Sequence, residues 1–311
     1  MRAFIFPGQG SQAVGMGVAL AEASAAAREL FQEVDEALGQ NLFRLMAGGP
    51  IDELTLTQNA QPAIMANALA TLRVAEREAG MVLDGTAAFV AGHSLGEYSA
   101  LAAAEALGVA TTARLLRLRG EAMQAAVPVG AGAMAALIGV DVSDAQSIAE
   151  DAAGGETCVA ANDNAPGQVV ISGHVAAIER AIAIAKERGF KRALLLPVSA
   201  PFHSPLMAPA AVAMAEALAA VDLRPPAVPV YANVTAAPTG DPGEIRALLV
   251  EQVTAMVRWR ESVLAMAEAG VTQFVEFGGK VLTPMIKRIV PEARATSVVT
   301  MNDIEALMKE I

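Results

Sequence analysis

The chain has 311 residues, of which 54% are hydrophobic, and a formal net charge of −11 at pH 7. A chain of this length and composition can bury a substantial core, so disorder is not expected. The negative charge argues against nucleic acid as the main partner, because binding to phosphates requires a basic surface. No apolar run reaches the roughly 18 residues that a membrane span requires, so we expect no contact with a membrane.

The first residues and the cysteine content give further expectations. Met1–Phe6 is too short for the apolar segment of a secretory signal before Pro7-Gly8 interrupts it, so we expect a cytoplasmic protein. One cysteine, Cys158, excludes an internal disulfide, and the Cys and His clusters of a structural metal site are missing. We expect Cys158 to be a small buried residue and the protein to hold no metal.

Short apolar strands and helices alternate in the first part of the chain. Gly8 and Gly10 are spaced as in a dinucleotide-binding turn, but no second strand with an acidic end follows, so we expect no tightly bound cofactor. Gln61-Pro62 predicts the start of a helix, since proline loses little in the first helical turn. The elements expected here are a strand at Arg2–Phe6, helices at about Val18–Leu38 and Gln61–Ala79, a strand at Ala87–Ala91, a helix at Leu95–Ala104 and a helix near Thr111–Ala126 capped by Thr111 or Thr112.

The middle of the chain predicts a separate unit. Its elements follow the order β-α-β-β-α-β, which is the ferredoxin-like motif, so we expect a small subdomain at residues 128–197. A cleft between this subdomain and the rest of the protein is a natural place for a ligand. The elements expected here are a strand at Ala133–Ile138, a helix at Val142–Asp151, strands at Cys158–Asn162 and Gln168–Ser172, a helix at Ala176–Arg188 and a strand at Lys191–Leu196.

The last part of the chain resumes the alternation of strands and helices. This pattern favours a parallel sheet covered by helices, formed by residues 1–127 and 198–311 together, and hence an α/β fold class. The elements expected here are a helix at Met207–Val221, a strand at Val228–Asn233, helices at Pro242–Val257 and Arg260–Ala269, a strand at Thr272–Phe277, a helix at Val281–Ile289, a strand at Thr296–Val299 and a last helix from Asp303.

The stretch Gly92-His93-Ser94-Leu95-Gly96 carries the clearest chemical signal. It follows a predicted strand and opens a predicted helix, as a G-x-S-x-G nucleophile elbow does. Such a turn presents its serine at a helix N-terminus, where free N–H groups favour negative charge. Ser94 could instead simply cap the helix of an ordinary turn. The strand and helix on either side favour the nucleophile.

A serine nucleophile requires a general base, and the chain has three histidines. His93 adjoins Ser94 on the same tight turn, which keeps its ring from reaching back, and His174 falls at the start of a helix in the small subdomain. His203 lies in a loop stiffened by prolines and is the candidate base, with a packed loop histidine as the alternative. A hydrolase triad would add an acidic residue between Ser94 and His203, and none of those available is an obvious partner. Three of them, Asp163, Glu179 and Glu187, lie in the predicted small subdomain.

Two groups of basic residues need separate interpretations. Arg119 lies about 160° around its helix from Arg114, because five steps of about 100° separate them. It could therefore point inward, where an arginine would need a carboxylate partner. The stretch Lys186–Arg192 is the densest positive segment. It is a solvated helix end, a docking site for an acidic partner or a site for the phosphates of a cofactor.

Taken together, the motifs resemble the malonyl-CoA:acyl-carrier-protein transacylase family of bacterial fatty-acid synthesis. The resemblance covers nearly the whole chain, and its motifs are specific in combination. They are F-P-G-Q-G-S-Q at Phe6–Gln12, Q-P at Gln61-Pro62, G-H-S-L-G-E-Y at Gly92–Tyr98, R-G-x-x-M-Q at Arg119–Gln124, N-x-N-x-P-G-Q-V-V at Asn162–Val170, P-V-S-x-P-x-H at Pro197–His203 and G-K-V-L-T at Gly279–Thr283.

The resemblance implies a role for each matching residue. Ser94 would carry the malonyl group, and His203 would act as base and then as acid. The backbone N–H groups of Gln9 and Leu95 would form the oxyanion hole. Arg119 would bind the malonyl carboxylate. The resemblance also implies that the main-chain carbonyl of Gln252 orients the histidine and that the large domain is α/β-hydrolase-like.

The partners implied by the resemblance are malonyl-CoA and an acyl carrier protein. An acidic carrier would dock on the basic side chains of Lys186, Arg188, Lys191 and Arg192. The alternatives are a serine thioesterase or esterase, a trans-acting polyketide acyltransferase, and a carrier-binding protein without catalysis. Phe202 resembles the bulky residue that malonyl-selective enzymes place against an α-methyl branch.

Overall fold

Two β-sheets, each packed against helices, organise the computed structural model, which describes residues 1–198 and 200–311. The first half of the chain supplies two strands of the larger sheet and the helices that cover one face of it. In order these are β1 (Arg2–Phe6), α1 (Val18–Ala23), α2 (Ala25–Leu38), α3 (Leu42–Gly48), α4 (Ile51–Thr55), α5 (Thr57–Arg77), β2 (Phe89–Gly92), α6 (Leu95–Ala103) and α7 (Val109–Ala125).

The second half of the chain builds the smaller sheet and then completes the larger one. The smaller sheet and its helices are β3 (Gly132–Ile138), α8 (Val142–Ala153), β4 (Cys158–Ala165), β5 (Gln168–His174), α9 (Val175–Glu187) and β6 (Arg192–Leu195). The rest of the chain is a 3₁₀ turn (Pro205–Met207), α10 (Ala208–Ala219), β7 (Val230–Ala232), β8 (Ala237–Thr239), α11 (Pro242–Gln252), α12 (Trp259–Glu268), β9 (Gln273–Phe277), α13 (Thr283–Ile289), β10 (Arg294–Val298) and α14 (Met301–Met308).

The larger sheet has the strand order β10-β9-β1-β2-β7-β8. Every neighbouring pair is parallel except β7 and β8, which are antiparallel. The sheet is buried on both faces: Phe4 and Phe6 belong to one core cluster, and Ala3 and Ile5 belong to another. A strand covered on both sides reads as a continuous apolar run, which is why β1 was predictable. The expected parallel sheet is present, with one antiparallel pair at its edge, where the three-residue β8 with Pro238 gave no strand signal.

The smaller sheet has the order β4-β5-β3-β6, and all its pairs are antiparallel. Between Gly132 and Leu195 the elements follow one another as β-α-β-β-α-β. Side chains alternate between its faces: Leu137 and Ile171 pack against α8 and α9, whereas Met134 and Val170 face the cavity described below. The protein is therefore of the α/β class, with one mostly parallel sheet and one antiparallel sheet.

Several predicted element boundaries are wrong. The helix expected over 18–38 breaks at Ser24, which adopts an extended conformation and accepts a hydrogen bond from the Ala27 N–H. Helix α5 begins at Thr57 and not at Gln61, because Leu56 O already accepts from Asn59 N and Ala60 N. Proline at position 62 is therefore inside the helix and does not mark its start.

Two further helices differ from expectation at one end. Helix α7 begins at Val109, and the Thr112 hydroxyl donates to Gly108 O and does not cap the helix. Helix α11 ends at Gln252 because Val257 pairs with β4 of the other sheet: Val257 N donates to Ala161 O.

Contacts along β4 tie the smaller sheet to the larger one. Asp163, at 1% side-chain exposure, accepts two hydrogen bonds from Arg260 Nε at 2.9 and 3.1 Å. Arg288 on α13 donates to Pro166 O and to Gln168 Oε1 in the β4–β5 turn. These bonds hold the antiparallel sheet beside the carboxyl ends of the parallel strands. Across the described residues, we find no helix both long and apolar enough to pass through a membrane, and Cys158 is buried.

Candidate active site

The sharp turn at Ser94 connects β2 to α6. Ser94 has φ 54° and ψ −111°, a conformation that costs energy in a residue with a side chain. Asn233 holds this turn from both sides: its Oδ1 accepts from Ser94 N at 2.7 Å, and its Nδ2 donates to Gly92 O at 2.7 Å. Asn233 is 1% exposed. A buried amide therefore fixes the strained turn with two hydrogen bonds.

The two glycines of the turn are required by close approach. A Cβ on Gly92 would lie 1.9 Å from the Gly96 backbone, and a Cβ on Gly96 would lie 2.3 Å from Phe6 O. Neither glycine has a positive φ. The two glycines of the G-x-S-x-G pattern are therefore required because α6 packs tightly against the ends of β1 and β2.

Ser94 and His203 form a hydrogen-bonded pair. Ser94 Oγ lies 2.8 Å from His203 Nε2, and His203 Nδ1 lies 2.9 Å from the main-chain O of Gln252. Because a carbonyl only accepts, Nδ1 carries the proton and Nε2 accepts from the serine hydroxyl. None of the acidic residues considered as a triad member occupies that position, and Asp163 pairs with Arg260 instead.

The His203 ring is buried, with 4% of the residue exposed. Burial, followed by the nearby charge of Arg119, lowers the pKa of His203 from 6.5 to about 3. The imidazole is therefore neutral at neutral pH, the form in which Nε2 accepts a hydrogen bond from the serine hydroxyl.

Arg119 reaches the same serine from the other side. Its Nη2 donates to Ser94 Oγ at 3.1 Å and to Gln252 Oε1 at 2.9 Å, while Nη1 donates to Gln61 Oε1 at 2.9 Å. The residue is 1% exposed and its Cζ lies 5.8 Å from the Tyr98 ring centroid. The expectation that an inward arginine would have a carboxylate partner is wrong, because two neutral amide oxygens hold it. Among the described residues, no carboxylate is hydrogen-bonded to its guanidinium.

Glu97, Asn233 and Gln61 complete the site and were not assigned roles by sequence reasoning. Glu97 Oε2 accepts from Asn233 N and from Gln252 Nε2, each at 2.9 Å. Gln61 and Glu97 belong to two of the family motifs, which was the available signal. Nothing in the sequence around Asn233 indicated that its side chain would clamp the turn, because this depends on the pairing of β7 with β2.

The predicted oxyanion-hole residues Gln9 and Leu95 lie in the same region of the molecule as Ser94. Both residues line the cavity with Ser94. Among the hydrogen bonds of the described residues, none uses the N–H of either. The loop that carries Gln9 packs closely on the elbow, since a Cβ on Gly8 would lie 2.7 Å from His93 O. Two unengaged donors are thus available near the serine.

A cavity of about 320 Å³ leads to Ser94 between the two sheets. The larger sheet contributes the elbow and the Gln9 loop, and the smaller sheet contributes apolar side chains. Phe202 also lines it and is 7% exposed. Among the described residues, no group of three or more His, Cys, Asp or Glu side chains could hold a metal ion.

The other two histidines do not contact the serine hydroxyl, and the predicted docking residues lie away from it. His93 Nε2 is hydrogen-bonded to Asn164 Oδ1 at 2.7 Å, and His174 Nδ1 accepts from Thr157 N at 3.0 Å. The four predicted docking residues are exposed and do not line the cavity, and one of them, Arg188, pairs with Asp151. They are Lys186, Arg188, Lys191 and Arg192.

A serine on a strand-to-helix elbow, paired with a neutral histidine and facing a buried cation, is suited to taking up an acyl group. The chain belongs to the acyl transferase domain family, whose model matches residues 3–298. Within it, the chain is 44% identical to the malonyl CoA-acyl carrier protein transacylase of Bacillus subtilis, over 99% of this chain and 96% of that protein. The predicted family resemblance is confirmed.

Solved structures give the same result. The acyl-carrier-protein-S-malonyltransferase from Bartonella henselae is 52% identical, with a TM-score of 0.97 over 99% of this chain and 98% of that one. A malonyl-transacylase in complex with its type II polyketide acyl-carrier protein is 40% identical, with a TM-score of 0.96 over 100% of this chain and 99% of that one.

Proposed function

We propose that this protein transfers the malonyl group of malonyl-CoA to the phosphopantetheine thiol of an acyl carrier protein, and so supplies fatty-acid elongation. The observation that carries the proposal is the double contact at Ser94 Oγ, with His203 Nε2 at 2.8 Å and Arg119 Nη2 at 3.1 Å. A base is required by any serine acyl transfer, whereas a buried cation beside the nucleophile selects an acyl group that carries a carboxylate.

In the first half-reaction, Ser94 Oγ attacks the thioester carbonyl of malonyl-CoA while His203 Nε2 takes its proton. The Nδ1–H bond to Gln252 O keeps the ring in the required tautomer. The N–H groups of Gln9 and Leu95 stabilise the oxyanion of the tetrahedral intermediate, a contribution of roughly 10²–10³-fold in rate per donor. The carbon–sulfur bond then breaks, His203 returns the proton to the sulfur, and malonyl-serine and free CoA result.

Arg119 binds the carboxylate of the acyl group. In a malonyl group one methylene separates the carboxylate from the reacting carbonyl, and Arg119 already contacts the atom that attacks this carbonyl. The Nε–H of Arg119 has no hydrogen-bond partner among the described residues. Its donors can therefore meet a carboxylate while the amides of Gln61 and Gln252 keep the guanidinium in place.

In the second half-reaction, the carrier's thiol replaces CoA in the cavity. His203 Nε2 takes the thiol proton, the sulfur attacks the malonyl-serine carbonyl, and Ser94 Oγ leaves with the proton that His203 returns. The apolar side chains on the smaller-sheet side of the cavity reduce the access of water to the malonyl-serine. Phe202 narrows the cavity and disfavours an α-methyl branch on the acyl group.

The carrier protein docks on the basic segment of the smaller sheet. Lys186, Lys191 and Arg192 are exposed there, beside Leu194 and Leu195, which are 54% and 56% exposed on the edge strand β6. Arg188 contributes less, because Asp151 already pairs with it. Charge reversal of Lys191 and Arg192 should raise the KM for the carrier and reduce its salt dependence, with malonyl-CoA hydrolysis and acylation unaffected. An unchanged KM and salt dependence would refute this dock.

The remaining sequence predictions belong to the same proposal. Residues 128–197 would form a ferredoxin-like subdomain inserted in an α/β-hydrolase-like domain made of residues 1–127 and 198–311. The βαββαβ order of the smaller sheet supports this division. The protein would work in the cytoplasm and without a tightly bound cofactor.

One transfer assay separates the proposal from its alternatives. The protein is incubated with malonyl-CoA and a holo carrier protein, and the carrier and the small-molecule products are analysed by mass spectrometry. We expect malonyl-carrier and free CoA. Free malonate with unmodified carrier would indicate a thioesterase, and no turnover with retained carrier binding would indicate a non-catalytic subunit. Comparing fatty-acid with polyketide carriers as acceptors tests the polyketide alternative.

A further inference from the structure

A chain of buried hydrogen bonds connects Glu97 to Arg119 through the side-chain amide of Gln252. Gln252 Nε2 donates to Glu97 Oε2 at 2.9 Å, and Gln252 Oε1 accepts from Arg119 Nη2 at 2.9 Å. Glu97 is 2% exposed and Gln252 and Arg119 are each 1% exposed. The carboxylate and the guanidinium are therefore on opposite ends of one amide.

Glu97 determines which way this amide points. Glu97 Oε2 already accepts from the backbone N–H of Asn233, so this oxygen acts as an acceptor; it selects the NH₂ end of the Gln252 side chain and leaves the amide oxygen for Arg119. In the reversed orientation the NH₂ group would face the guanidinium donors and the amide oxygen would face the carboxylate, and both contacts would be unfavourable. Without an acceptor at position 97, Nε2 would keep only its 3.0 Å bond to Ser94 O.

Because the Gln252 amide lies between Glu97 and Arg119, the Glu97 carboxyl group does not bind the guanidinium directly. A carboxylate bound directly to Arg119 would occupy the donors that an acyl carboxylate needs. Through the amide, Glu97 remains close enough to interact electrostatically with Arg119, and the attraction of that cation opposes the burial that raises the pKa of Glu97 to about 7. Arg119 is thus held in place while its Nε–H still has no partner among the described residues.

We propose that Glu97 is a positioning residue for acyl-group selection, which fixes the Gln252 amide so that Arg119 faces the acyl carboxylate. This rests on the proposed malonyl transfer. Its consequence is specific: loss of the Glu97 acceptor reduces the use of malonyl groups more than the use of acetyl groups, because an acetyl group has no carboxylate to meet Arg119.

The test compares rates of acyl-enzyme formation from malonyl-CoA and acetyl-CoA in a set of variants. Glu97→Met fills the same space without an acceptor, and Glu97→Asp withdraws the carboxylate by one methylene, so at least one should fold. Glu97→Gln keeps a carbonyl oxygen that can accept from Gln252 Nε2 and Asn233 N. Ser99→Ala is the matched control, since Ser99 is buried on the same helix and its hydroxyl has no partner among the described residues.

We expect Glu97→Met and Glu97→Asp to lower the malonyl-to-acetyl ratio of kcat/KM about tenfold or more, the effect of one lost charge-assisted contact. Glu97→Gln should retain most of the wild-type malonyl-to-acetyl ratio, and Ser99→Ala should leave this ratio unchanged. Equal losses for both acyl groups, or an unchanged ratio in the Met and Asp variants, would overturn the proposal while wild-type transfer stands. Absence of malonyl-serine in the wild-type protein would instead overturn the proposed function.

Discussion

Ser94 is contacted by two groups with different tasks. His203 is neutral and accepts a hydrogen bond from the serine hydroxyl, whereas Arg119 is cationic and donates to Ser94 Oγ and to two amide oxygens. Their separation on different elements, a loop and α7, allows each to be changed without removing the other. Residue-scale experiments can therefore separate the capacity to acylate from the choice of acyl group.

The selectivity prediction concerns Arg119. Arg119→Ala should lower kcat/KM for malonyl-CoA by about a hundredfold or more, because it removes the partner of a buried carboxylate. It should lower the value for acetyl-CoA less, so the malonyl-to-acetyl ratio falls. Arg117→Ala on the same helix is the control, since Arg117 contacts Asn59 and Gln40 away from the serine. An unaltered ratio in Arg119→Ala would rule out this role.

The pH prediction concerns His203. Since its pKa is lowered from 6.5 to about 3, the ring stays neutral as the pH falls through 6 and 5. The kcat/KM for acetyl-CoA, which reports the free enzyme and does not depend on the Glu97–Arg119 arrangement, should therefore keep its value well below pH 6. In Arg119→Ala the acidic limb should move to higher pH, because the charge of Arg119 contributes to the lowering. A wild-type limb near pH 6.5 would contradict this account.

The same shift has a consequence for stability. The pKa of His203 is about 3 in the folded protein and 6.5 in the unfolded chain. Between these two pH values the unfolded state therefore binds more protons than the folded state. The contribution of His203 to stability is fully present above pH 6.5 and is lost as the pH falls towards 3. Chemical unfolding at several pH values between 4 and 8 measures this loss.

At the scale of elements, sequence patterns predicted strands and long helices well and their ends less well. β1 was predictable because both its faces are buried, and α6 because good helix formers follow the elbow. The break at Ser24 and the end of α11 depend on contacts with other elements, namely a cap within the α1–α2 junction and the pairing of Val257 with β4. Such contacts have no local signature.

In the candidate site, too, some residues have a local sequence signal and others depend on contacts between distant elements. Ser94, His203 and Arg119 were found from a local motif, elimination among three histidines and a family resemblance. The clamp by Asn233 and the amide partners of Arg119 could not be predicted, because they depend on how β7, α5 and α11 meet around the elbow. An inward arginine was expected to need a carboxylate, and the structure satisfies it with neutral oxygens.

The element-scale prediction concerns the close contact between α6 and β1. Gly96→Ala places a Cβ 2.3 Å from Phe6 O, and a backbone atom cannot move aside as a side chain could. We expect a loss of about 3 kcal/mol in unfolding free energy and the loss of acylation. Gly48→Ala is the control, because Gly48 lies in helix α3 and its Cβ would meet nothing within 4 Å. Equal stability and activity in the two variants would contradict the close-packing argument.

At the scale of the whole molecule, the site depends on two sheets that meet at β4. The larger sheet carries Ser94 and the smaller sheet supplies one wall of the cavity. The buried pair of Asp163 and Arg260 is one of the bonds that keep them together. Breaking this pair should therefore lower the unfolding free energy, because it leaves the buried Asp163 carboxylate without its partner.

Arg260→Met tests this connection. We expect it to lower the unfolding free energy by about 2 kcal/mol, below the full cost of breaking a buried pair because Arg260 is partly exposed. Arg77→Met, which breaks the exposed pair with Glu29, should cost at most about 1 kcal/mol. Denaturant unfolding of both variants measures the difference, and equal losses would show that the pair at β4 does not join the sheets.

The central claim is that malonyl-serine forms on Ser94 and is consumed by the carrier. Intact-mass analysis after brief incubation with malonyl-CoA, followed by peptide mapping, tests it most directly. We predict one malonyl adduct that maps to Ser94, is absent in Ser94→Ala and disappears on addition of holo carrier as malonyl-carrier forms. An adduct on another residue, or transfer that proceeds normally in Ser94→Ala, would contradict the account.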